Sequence, residues 1–186
     1  MLDCPKVISG RIKDLDIVRL QYIIRLMNQR DFLIERLNHI RQQIDTTISK
    51  SPTDKEIYKD WKLKELLDHI SGWDDVVIDA LKAHGKNEPV SPTVSRGINA
   101  YNAQTVASRA ALNLDQTQKE FHVTRAALIQ ALNELPDEKF NQPLTFPWGE
   151  FGTVAYLIEI FVEHEEYHAG HLEQWLKNPD NMIGEH

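Results

Sequence analysis

Residues 163 to 172 read Glu-His-Glu-Glu-Tyr-His-Ala-Gly-His-Leu, three histidines within ten positions. At about 100° per residue on a helix, His164, His168 and His171 share roughly 60° of arc with Leu157, Phe161, Leu172 and Trp175. Glu159, Glu163, Glu166, Glu173 and Lys177 fall on the opposite side. The imidazoles therefore point where the apolar core residues point. A buried polar group left unsatisfied costs about 1–3 kcal/mol, so three such rings within two turns require partners. A metal ion is the most economical one, because histidines at i and i+4 can converge on one ion at about 2.0–2.1 Å. A lone inward histidine is more often a hydrogen-bonded core residue; the His-x-x-x-His pair shifts that balance.

A third ligand has to come from another element. The candidate is His69, within Leu66-Leu67-Asp68-His69-Ile70, at the margin of an apolar stripe and one turn before Trp73. His39, His84 and His122 lie off the stripes or near helix ends, where surface roles suffice. His171 is either a fourth ligand or a group supporting the ligands. The supporting role is favoured, since a catalytic site keeps three protein ligands and one open position. Residues 164 to 168 also spell His-Glu-x-x-His, in which the Glu of zinc proteases is a general base. The extended protease form wants Gly at 171 and His at 174, but His171 and Gln174 stand there. Glu165 adjoins the inward face and is a candidate proton shuttle.

The elements that must position these residues are helical. Val/Ile/Thr alternation is nearly absent, and 3.6-residue periodicity dominates. A first helical pattern runs from Leu15 to Ile48, with Leu33, Leu37, Ile40, Ile44 and Ile48 on one stripe, and Ser51-Pro52 ends it. A second runs from Trp61 to His84, with Leu63, Leu66, Leu67, Ile70, Trp73, Val77 and Leu81 together. Gly85 to Gly97 is a loop with two prolines, and Ile98 to Ala111 a short helix. Asn113 with Gln116 forms a capping box that opens a longer helix carrying Leu114, Phe121, Leu128, Leu132 and Leu135 and stopping before Pro136. A loop from Pro136 to Gly152 follows, then Thr153 as N-cap of a last helix ending near Lys177. The pattern predicts an all-α four-helix bundle plus a short extra helix, with sites built from inward-facing side chains.

Composition sets the remaining bounds. A chain of 186 residues can bury a core without disulfides, and its net charge of −7 argues against a broad nucleic-acid surface. Cys4 is the only cysteine, which excludes intramolecular disulfides and Cys-rich zinc sites. No apolar run approaches the ~20 residues of a membrane span, and Met1-Leu2-Asp3-Cys4-Pro5 lacks the layout of a secretory signal. The expectation is one cytoplasmic domain over residues 1–186, loosely ordered at 1–12 and 178–186, with neither nucleic acid nor membrane as partner.

Several segments resemble the DinB-like superfamily, particularly its ClbS/DfsB-type branch. Trp61-x-x-Lys64-Glu65-Leu66-Leu67-x-His69-Ile70-x-x-Trp73 is similar to the second-helix motif, and Phe146-Pro147-Trp148-Gly149 to the turn before the last helix. Asn99-Ala100-x-Asn102 resembles the segment before the third long helix, and Glu163-His164-x-x-x-His168-Ala169-x-x-Leu172-x-x-Trp175 the closing helix. The ordered set covers roughly residues 55–178. Lys62 departs from the pattern, where relatives more often carry a small hydroxyl residue that caps the helix.

The resemblance implies up-down-down-up connectivity and a divalent metal held by one histidine of the second helix and the His-x-x-x-His pair. Carried over by position, these are His69, His164 and His168, the residues chosen above. It also implies a homodimer. Three neutral imidazoles leave the metal's charge uncompensated, which lowers the pKa of a water toward ~7 or favours a thiolate. Three imidazoles suit several metals, zinc and nickel foremost. The resemblance points to a low-molecular-weight thiol, since characterised relatives include thiol-dependent transferases and isomerases; others hydrolyse a reactive small molecule. Trp73, Tyr101 and Trp148 are candidate walls for a small-molecule substrate. The competing expectation is a non-catalytic, metal-stabilised dimeric stress or binding protein.

Overall fold

The computed structural model describes residues 29–183. Its helices are α1 (Gln29–Ile48), α2 (Leu63–Gly85), α3 (Ile98–Ser108), α4 (Leu114–Glu134), the single-turn α5 (Asp137–Phe140) and α6 (Val154–Leu176). The stripe Leu33, Leu37, Ile40, Ile44 and Ile48 is buried along α1, as is the whole predicted stripe of α2. The part of the first helical pattern from Leu15 to residue 28, the terminal stretch 1–12 and Cys4 lie outside the described residues.

Caps set where the helices begin. Asn113 Oδ1 accepts from the Gln116 N–H at 3.0 Å while Gln116 Oε1 accepts from the Asn113 N–H at 2.9 Å, the reciprocal pair that opens α4. Thr153 Oγ1 accepts from the Tyr156 N–H at 3.2 Å and starts α6. At α2, Lys62 supplies no acceptor; its N–H donates to Glu65 Oε2 at 3.0 Å, half of the reciprocal pair. The predicted loop from Pro136 to Gly152 holds more structure than expected. It contains α5 and an antiparallel pair, β1 (Pro143–Thr145) with β2 (Phe151–Thr153), with Leu144 opposite Gly152. Such short strands have too few residues to show a period of two.

Contacts between helices fix their directions. Arg36 of α1 stands between Glu159 and Glu166 of α6, at 3.8 and 2.8 Å, and further along both helices Gln43, Thr46 and Thr47 share a cleft with Glu173, so the two helices run parallel. Asp68 of α2 meets Thr117 of α4 at 2.9 Å and Asp74 meets Arg125 at 2.9 Å, so these also run parallel. His69 meets His164 whereas Trp73 meets Phe161, which makes α2 and α6 antiparallel. Arg41 donates to the Phe121 carbonyl while Arg30 pairs with Asp137, just past α4, so α1 and α4 are antiparallel. The order is up-down-down-up. Because α2 and α4 point the same way, the chain must return between them, and α3 lies on that return path. The stretch after α6, expected to be loosely ordered from residue 178, is tied as far as residue 183. Asp180 pairs with Lys55 at 2.8 Å, and the Ile183 N–H donates to the Ile57 carbonyl at 2.9 Å.

A buried ion cluster takes one residue from each long helix. Arg41 Nη2 stands 2.9 Å from Asp74 Oδ2 and 3.1 Å from Glu165 Oε1, and Arg125 Nη2 pairs with Asp74 Oδ1 at 2.9 Å and with Glu165. The two guanidiniums balance the two carboxylates. Burial lowers Arg125 to about 10, with Asp74 pulling upward, so it stays cationic at neutral pH. Losing one partner of such a cluster leaves an uncompensated buried charge, so it holds the four helices in register.

Candidate metal centre

The site starts from the one-turn spacing of His164 and His168 on α6 and the antiparallel approach of α2, which brings His69 opposite them. His164 Nε2 lies 3.1 Å from His69 Nε2 and 3.0 Å from His168 Nε2. One ligand atom from each of the three histidines lies within 4.8 Å of those from the other two. His69 and His168 are fully buried; His164 is half-buried. An imidazole nitrogen offers one lone pair or one N–H. His164 Nε2 therefore cannot make a full hydrogen bond to both neighbours, whereas one cation satisfies all three nitrogens at once. Nitrogens each about 2.0–2.1 Å from one ion stand roughly 2.8–3.4 Å apart at right to tetrahedral angles, so separations of 3.0 and 3.1 Å fit a bound cation.

The three rings open onto a cleft of about 460 Å³ walled by Trp73, Trp148 and Phe161, with Asn102, Glu150 and Tyr167 also lining it. The Trp73 ring stands 6.1 Å from His164 and 6.1 Å from Trp148, centroid to centroid. Apolar walls with a few polar groups at one end are the build of a small-molecule site.

Residues 33–172 match the DinB superfamily. The chain belongs to the DinB superfamily. The uncharacterized protein YuaE of Bacillus subtilis (strain 168) is 23% identical over 150 residues, covering 76% of this chain and 90% of that one. The crystal structure of the mycothiol-dependent maleylpyruvate isomerase matches with a TM-score of 0.66 at 12% identity, and a point mutant of that isomerase with 0.65. Each match covers 77% of this chain, which spans 60% of the isomerase chain. At that identity the likeness is one of fold.

In this DinB superfamily member the expected residues separate. His69, His164 and His168 come together, and Trp73 and Trp148 wall the cleft. His171 stands outside the triad and reaches it through Tyr58, whose hydroxyl lies 3.0 Å from His171 Nδ1 and 3.2 Å from His168 Nδ1. If His168 presents Nε2 as a lone pair, its Nδ1 carries the proton and donates to the Tyr58 oxygen. The Tyr58 O–H then donates to His171 Nδ1. Burial raises the Tyr58 pKa and lowers that of His171, which keeps the phenol a donor and the imidazole a neutral acceptor.

Three expectations are corrected. Glu165 does not join the imidazoles: its Oε1 accepts from Arg41 and Arg125 in the ion cluster, one helix position turning it away from its neighbour His164. A carboxylate held by two guanidiniums is a structural counter-ion, and the proton-shuttle role does not stand. Tyr101 sits behind the wall; its ring packs on Trp73 at 4.8 Å and its hydroxyl donates to the Gly72 carbonyl at 2.7 Å. His84, expected at the surface, is buried, with Nε2 3.1 Å from the Lys139 carbonyl of α5. Tyr58 was missed because it lies in an irregular segment with no period; the apolar pair Ile57-Tyr58 amid polar residues was its only signal. Asn102 lies within Asn99-Ala100-x-Asn102, where an amide carries no chemical signal of its own.

Proposed function

We propose that this chain is a metal-dependent enzyme that activates a thiol or water against a small electrophile held in the cleft. The observation that carries this is the convergence of three imidazoles from two helices at the floor of an aromatic-walled cleft. A divalent cation in that set supplies Lewis acidity and lowers the pKa of a thiol or water beside it. His69, His164 and His168 are its holders. Tyr58 keeps the His168 proton at Nδ1, and Trp73, Trp148 and Phe161 exclude water from the reacting end of the cleft. Thiol chemistry is favoured over water because a fold neighbour is a mycothiol-dependent isomerase. Among the described residues the set has three donors, which supports a catalytic site over a closed structural one.

The test is glutathione consumption by zinc- or nickel-loaded protein with a nitro-activated aryl chloride, run beside hydrolysis of an activated ester. The expected result is turnover by the native chain in the thiol arm and background rates for His164→Ala. Equal rates for the two proteins in both arms would remove the catalytic function.

A further inference from the structure

Asn102 of α3 lines the cleft, is 8% exposed, and makes one side-chain hydrogen bond: its Oδ1 accepts from Trp73 Nε1 at 3.0 Å. An indole nitrogen is only a donor, so the amide's orientation is decided by chemistry: oxygen toward Trp73, nitrogen elsewhere. Asn102 Nδ2 donates to no protein atom among the described residues. A donor held at a fixed angle by a buried side chain in the cleft lining, with no protein acceptor, sits where an acceptor from outside would complete it.

Its surroundings narrow what that acceptor is. The indole that fixes the amide also faces the triad, with centroids 6.4 Å from His69 and 6.1 Å from His164. The second wall is Trp148, at 76° to Trp73, its Nε1 donating to Glu150 Oε2 at 2.9 Å. The two indoles meet edge to face and form a corner, which suits a small apolar group packed into it. The cleft lining includes neither lysine nor arginine, so outside the triad no side-chain cation competes with the amide for that acceptor.

We infer that Asn102 is the cleft's ligand-reading group, its Nδ2 donating to the carbonyl oxygen of a small apolar carbonyl compound packed against Trp73. This assignment names the substrate class for the function proposed above and rests on it. Trp73 is the positioning residue: it sets the amide's orientation and touches the ligand with its face.

The test uses zinc-loaded protein and two fragments of one shape, acetophenone and ethylbenzene, with dissociation constants from ligand-observed NMR. A net hydrogen bond of about 0.5–1.5 kcal/mol predicts a preference for the ketone of roughly two- to tenfold. Asn102→Asp keeps an acceptor for Trp73 Nε1 and replaces the donor by an oxygen, so the preference disappears while ethylbenzene binds as before. Trp73→Phe, which frees the amide to turn, lowers the preference and serves if the first variant is misfolded by circular dichroism. A ketone-to-hydrocarbon ratio near one in the native chain, or an unchanged ratio in the folded variants, overturns the assignment. So does failure of both fragments to bind. Zinc content is read on the same samples. One zinc per chain with a flat ratio rejects only the role of Asn102, and a retained ratio without zinc rejects only the metal-dependent function.

Discussion

His164 and Glu165 are neighbours in sequence with opposite duties, and the 100° between them on α6 is the reason. The imidazole turns to the triad; the carboxylate turns to Arg41, Arg125 and Asp74 in the core. Glu165→Gln leaves two guanidiniums facing one carboxylate in a buried site, and its expected cost is about 3 kcal/mol or more. Zinc stoichiometry should be unchanged. Urea denaturation beside elemental analysis checks this, and loss of metal by a folded, equally stable variant would return Glu165 to the site. The inward histidines were legible because three- and four-residue steps place them on the apolar stripe. The duty of Glu165 was not, because nothing along the chain announces arginines of two other helices.

At the scale of elements, α2 is in contact with four others and two of its residues report how. A Cβ on Gly72 would stand 2.4 Å from Thr105 Cγ2, so α3 packs against the bare backbone of α2. That approach brings Asn102 to Trp73. Gly72→Ala therefore forces the two helices apart, at an expected cost of about 1–3 kcal/mol, and weakens the ketone preference of the cleft. A variant as stable as the native chain would contradict the close packing. Asp68 joins α2 to α4, accepting from Thr117 Oγ1 at 2.9 Å and from Lys64 Nζ at 2.6 Å. Burial raises its pKa, against the pull of those two donors. With the folded pKa above the unfolded one, the folded chain holds the extra proton between them. The group's contribution is fully present below the unfolded pKa and fades as pH rises through the folded one. Asp68→Asn keeps the acceptor for Thr117 and removes that loss. Its urea midpoint should rise relative to the native chain as pH climbs above the ordinary carboxylate range of about 4; a relative fall would reverse the sign. The helices themselves were readable to within a few residues where caps were explicit, at Asn113 and Thr153. The hairpin of β1 and β2 was not, being held by pairing across the Phe-Pro-Trp-Gly turn.

Across the whole molecule, the up-down-down-up order is what lets one site draw on two helices far apart in sequence. Running α2 antiparallel to α6 sets His69 opposite the middle of the His-x-x-x-His pair, and the ion cluster locks all four long helices around it. Among the described residues no helix is long and apolar enough to cross a membrane. A cation bound by the folded chain alone stabilises it by mass action, about 2.7 kcal/mol at a hundredfold excess over Kd, so metal loading and thermal stability move together. The most direct measurement is a calorimetric titration of metal-free protein with zinc, run beside His69→Ala. The expected result is one zinc per native chain, and less than about 0.1 per chain for the variant, because two imidazoles of one helix make a poor site alone. A native chain that takes up no zinc, or a variant that binds as the native chain does, would contradict a cation held between the two helices.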